Sequence, residues 1–104
     1  MKNGTYIYDI QMKTPLGRRR GNLELMVEGE FLNGYLTMFT RTVPIKAGRI
    51  AEGKVSFSGD MRNPLKTLPY QAEGTVSASG VELIIETELG KYPASGEITQ
   101  TRGL

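Results

Sequence analysis

The run Ile50-Ala51-Glu52-Gly53-Lys54-Val55-Ser56-Phe57-Ser58-Gly59 most restricts what this chain can become. Val55 and Phe57 alternate with Lys54, Ser56 and Ser58, so one face of an extended strand is apolar and the other polar. Glu52-Gly53 ahead of it reads as a two-residue turn, since tight hairpin turns need the positive φ that glycine adopts without steric cost. The same unit, a glycine turn followed by alternation, recurs from end to end. A chain written this way is predicted to be all-β.

Taken in order, Tyr6, Tyr8, Ile10 and Met12 alternate with Ile7, Asp9, Gln11 and Lys13. Thr14-Pro15-Leu16-Gly17 turns the chain: proline presets φ and glycine takes the left-handed position. After Arg18-Arg19-Arg20, a second strand over Asn22–Glu28 pairs with the first. A turn at Glu28-Gly29-Glu30 leads into a third strand, Phe31–Thr42, bulky on both faces, so the pattern leaves its inner face open. Ile45–Ala51 and Lys54–Gly59 are the fourth and fifth strands. Gly59–Pro69 is irregular. Its two prolines argue against a long central strand and its Met61, Leu65 and Leu68 against a solvated loop, so it is expected to cap one end of the sheet. Tyr70–Ser77, Val81–Glu88 and Tyr92–Thr99 complete eight strands, with turns at Ser79-Gly80 and Leu89-Gly90.

Eight successive hairpins close most naturally into an antiparallel up-and-down barrel, because closure removes the exposed edges. Strand-interior glycines at 34, 74 and 96 fit the sharp bends of a barrel; a two-sheet sandwich is the alternative. The 104 residues are expected to form a single domain, 1–104, long enough to bury a core without metals or disulfides. Cysteine and histidine are both missing, which removes thiolate nucleophiles, disulfides, the usual general base and the commonest metal ligands. No cofactor motif is present. A net charge of +2 does not by itself imply nucleic acid. No run approaches the ~18 apolar residues of a membrane span and no signal-like apolar segment opens the chain, so the default expectation is cytoplasmic.

Gly4-Thr5-Tyr6 resembles the Gly-x-Trp opening of lipocalin-like and streptavidin-like (calycin-type) barrels, with tyrosine in place of tryptophan. Thr101-Arg102 sits where those families keep an arginine packed over that ring. Thr14-Pro15-Leu16-Gly17 and Gly53-Lys54-Val55-Ser56-Phe57 are also similar to small bacterial lipocalin-like domains of unassigned function. The resemblance implies a closed barrel with a small central cavity, and it brings no catalytic residue with it.

The expected function is non-catalytic binding of a small, partly apolar ligand, an apolar or amphipathic molecule, in the barrel mouth. Tyr6, Tyr8, Leu36, Met38, Phe57 and Tyr70 are the expected lining, and Met61, Leu65 and Leu68 the expected lid. The alternative is a homo-oligomeric interaction module with a barrel filled by its own side chains, joined through an outer apolar patch of Met26, Phe39 and Ile84. Eight short strands make a narrow barrel that side chains alone can fill. Arg18-Arg19-Arg20 reads first as a solvated arm. Its other reading is a phosphate contact, but no stacking aromatic lies beside it in sequence, which argues against single-stranded nucleic acid. Asp9 and Asp60 are the only aspartates, and nothing places them across one gap as a paired-carboxylate hydrolase requires.

Overall fold

The computed structural model describes residues 1–62 and 65–103. They form nine strands: β1 (Gly4–Thr14), β2 (Gly17–Glu28), β3 (Phe31–Met38), β4 (Arg41–Pro44), β5 (Lys46–Ala51), β6 (Lys54–Arg62), β7 (Thr67–Val76), β8 (Gly80–Thr87) and β9 (Gly90–Gly103). All pairings are antiparallel. Eight strands close a ring in the order β1-β2-β3-β5-β6-β7-β8-β9, with β9 returning to β1. β4 stands outside the ring and pairs only with β3.

The extra strand arises from a turn that sequence chemistry does not signal. The expected third strand stops at Met38, and Phe39 and Thr40 both take left-handed φ, 54° and 61°. Neither residue favours that region. Phe39 packs its ring partly against the core, and Thr37 and Thr42 hydroxyls meet across the strands at 2.8 Å. The Glu52-Gly53 turn is as expected, with φ of 51° and 78° matching a type I′ hairpin. It is tied down where the Gly53 carbonyl accepts a 2.8 Å bond from the Val76 amide.

Gly59–Pro69 is not a cap. β6 and β7 continue their pairing to Arg62 opposite Thr67, so most of the segment is regular strand; Asn63 and Pro64 lie outside the described residues. Pro69 is accommodated because β8 ends at Thr87 opposite Tyr70, leaving β7 an edge at that point. Pro93 sits likewise, one residue beyond the last β1 partner, where Met12 faces Ala94.

Closure decides which face is inside. Leu32, Leu36 and Met38 of β3 point inward, while Phe31 and Tyr35 are exposed. Inward residues from every ring strand merge into one contiguous apolar cluster. Three glycines allow the strands to coil tightly enough for this. A Cβ on Gly34, Gly74 or Gly96 would fall 1.8, 1.9 or 1.7 Å from the carbonyl oxygen of Glu24, Glu82 or Asp9. In each case the glycine lies opposite an inward aliphatic residue, Leu25, Leu83 or Ile10.

Candidate functional site

The residues expected to line a cavity all lie on the buried faces of their strands. Tyr8 and Leu36 are fully buried, and Tyr6, Met38, Phe57 and Tyr70 nearly so. The Phe57 and Tyr70 rings meet edge to face with centroids 6.2 Å apart. Of the expected lid, Met61 and Leu68 are buried, whereas Leu65 is 93% exposed. Tyr6, Tyr8, Leu36, Met38, Phe57, Met61 and Tyr70 thus belong to one buried apolar cluster.

The tyrosine hydroxyls reach outward from this core to different partners. Tyr6 donates to the Lys2 carbonyl at 2.6 Å and Tyr8 to the Ser77 carbonyl at 2.9 Å, both at the end where the chain begins. The Tyr70 hydroxyl has no partner among the described residues. It lies under Gly59, and the Pro44 carbonyl oxygen approaches the same point: a Cβ on Gly59 would be 2.9 Å from one and 3.2 Å from the other. A shallow cleft opens beside this point, lined by Lys46, Ser58, Asp60, Gln71 and Thr87. Here β4 lies against β6 without pairing with it, and the β5–β6 register slips between Lys46 and Arg49.

Burial pushes the Tyr8 hydroxyl up to about 12, with Tyr6 adding a smaller push. Tyr70 is raised further, first by burial and then by the negative charge of Asp60. Both shifts move the phenols away from acid–base work near neutrality. They also fix a pH dependence. In the unfolded chain the phenols ionise near pH ~10, while the folded protein holds their protons. The stability they contribute is therefore complete below about pH 10 and is lost as pH climbs towards Tyr8's own value. Tyr70→Phe should move alkaline unfolding, followed by circular dichroism, to higher pH without loss of stability at neutrality, because an unpartnered buried hydroxyl is removed. Destabilisation at pH 7 would show that the hydroxyl has a partner after all.

The remaining candidates are scattered. Asp9 on β1 and Asp60 on β6 are separated by β9, β8 and β7 around the ring, so they share no gap. No charged side chain is buried among the described residues. Met26 on β2 and Ile84 on β8 are parted by β1 and β9, and Phe39 is turned partly into the core, so the three form no common patch. Arg102 lies opposite Thr5, on the outward face, and its guanidinium meets the Gln100 side chain; Tyr6 points inward. The arginine-over-aromatic contact that is present joins Arg49 to the exposed Phe31 ring, 4.6 Å from its centroid. Neither partner was singled out by sequence, because the register of β3 against β5 brings them together.

Arg18, Arg19 and Arg20 are all exposed. They occupy a stretch of β2 paired with β1 but not with β3, whose pairing stops at Gly21 opposite Met38. Among the described residues their side chains make one hydrogen bond, a long one of 3.4 Å from Arg18 to Gln11. The closed eight-stranded antiparallel ring agrees with a calycin-like barrel at the level of fold. Comparison with family models, curated proteins and solved structures finds no match to the chain.

Proposed function

We propose that this protein is a non-catalytic binding domain whose barrel is filled by its own side chains and which meets its partners with its outer surface. The observation that carries this reading is the burial of Tyr8, Leu36, Met38, Phe57 and Tyr70 in one packed cluster. A ligand at that position would have to displace side chains packed at the density of a protein interior. The resemblance to small lipocalin-like domains supports a binding role and supplies no catalytic group.

The Tyr70 hydroxyl favours a second reading. A small amphipathic molecule seated in the Lys46–Asp60 cleft, with an acceptor atom reaching Tyr70, would satisfy a buried hydroxyl that has no partner among the described residues. Thermal melting with a panel of apolar and amphipathic probes separates the two. The filled barrel is expected to show no shift, whereas a cleft ligand at a hundred times its Kd would add about 2.7 kcal/mol. A probe that raises the melting temperature of the wild type but not of Tyr70→Phe would replace the first reading with the second.

A further inference from the structure

Alternation of strand direction around the ring puts the turns that carry Leu16, Leu65 and Leu89 at one end of the barrel. These are the three most exposed large apolar side chains described, at 83, 93 and 63%. Two of the turns are built alike. In Thr14-Pro15-Leu16-Gly17 the threonine hydroxyl accepts from the Leu16 amide at 3.2 Å and donates to the Gly17 carbonyl at 2.7 Å. In Thr87-Glu88-Leu89-Gly90 the same two contacts measure 3.0 and 3.5 Å. The opposite end uses this device once, at Ser77-Ala78-Ser79-Gly80, where the Ser77 hydroxyl accepts from the Ser79 amide at 3.2 Å. There the position of the leucine is held by a serine. The turn itself therefore does not need an apolar residue, and leucine appears in it only at one end.

That end is also the basic one. Lys13 and Arg18 to Arg20 flank the first turn, and Arg41 and Arg62 follow or precede the neighbouring turns. Its acids are each paired with a lysine: Asp60 with Lys46 at 3.4 Å, Glu86 with Lys91 at 3.7 Å and Glu88 with Lys66 at 2.7 Å. The five arginines have no ion-pair partner among the described residues. The turns of the other end carry Glu28, Glu30 and Glu52 at or beside them.

We propose that this leucine-tipped, arginine-rich end docks the barrel, end on, against an anionic lipid surface. This deepens the reading that the protein works through its exterior. A protein partner would need a matched hollow for each tip, whereas a bilayer interface accepts separate protruding leucines wherever they fall, with cations held at the headgroups. The barrel wall is unsuited to insertion, because its outward positions include Asp9, Glu73, Glu82 and Glu97 rather than a lipid-facing apolar band.

Co-sedimentation tests this with vesicles of phosphatidylcholine alone and of phosphatidylcholine mixed with phosphatidylserine. Binding is expected only to the mixed vesicles, and it should weaken as salt screens the arginines. Leu16→Ser or Leu89→Ser should each weaken it about tenfold, from the loss of an inserted leucine. Arg18→Ser with Arg20→Ser should weaken it by about twenty-fivefold, at roughly fivefold per cation. Ile84→Ser, on the wall, should leave it unchanged. All of these positions are exposed, so the variants should melt with the wild type.

Failure to bind mixed vesicles, or binding indifferent to both leucines, overturns the proposal. Binding to duplex DNA that needs the arginines but not the leucines, with no vesicle binding, identifies a polyanion arm instead. A dimer in light scattering that the leucine variants dissolve identifies a second copy as the occupant. None of these outcomes alters the melting test of the filled barrel, so the two readings fail separately.

Discussion

Gly96→Ala should be the most damaging single-atom addition in this protein, costing about 4 kcal/mol or more. The new Cβ would lie 1.7 Å from the Asp9 carbonyl oxygen, 2.7 Å from the Asp9 carbonyl carbon and 2.8 Å from the Ile10 Cα. All three are backbone atoms of β1, so no rotamer change relieves the clash. The two strands must separate, and β1 against β9 is the seam where the first and last strands close the ring. Parting them would expose Tyr8, Ile10 and Met12 and unpair backbone amides together. Circular dichroism with urea titration checks this; a variant that fails to fold agrees with it, and a loss below about 1 kcal/mol would mean that the strands are less tightly coiled than described.

Leu36→Ala comes next, with an expected loss of about 2–5 kcal/mol. Leu36 is completely buried on the inner face of β3, among side chains from strands around the ring, so truncation leaves a cavity that a closed barrel collapses poorly. Leu65→Ala, by contrast, should stay within about 0.5 kcal/mol of the wild type because its side chain is almost wholly exposed. The pair is informative together in urea or thermal unfolding. A small effect at Leu36 would be the signature of a loosely filled interior able to admit a ligand, and a large effect at Leu65 would restore it as a cover over the barrel.

Some of the candidate site was legible before any coordinates, and some was not. Tyr6, Tyr8, Phe57 and Tyr70 were correctly placed on one side of their strands, because alternation alone separates the faces. Alternation assigns them no role, since a pattern of facing residues is the same whether the space between them is empty or occupied. The irregular look of Gly59–Pro69 was misleading for a related reason. Proline disfavours a central strand, and Pro69 escapes that rule because its neighbour β8 ends one residue earlier. The Phe39-Thr40 reversal had no glycine or asparagine to announce it, so β4 was read as the tail of β3.

By itself the sequence determined the period of two, the positions of most turns, and hence an all-β antiparallel fold, with a closed ring favoured over a sandwich; Gly34, Gly74 and Gly96 marked where such a ring would bend. It also determined which chemistry has no side chains to perform it, through the lack of cysteine and histidine. These properties are local: each is written within a few residues, and φ preference and side-chain alternation do not depend on distant parts of the chain. Only the tertiary structure decided that Leu36 rather than Tyr35 lies inside, that Arg49 sits on Phe31, and that three leucine-bearing turns share one basic end. Each of those depends on closure and register, which bring together residues tens of positions apart and fix how much side-chain volume the ring must hold.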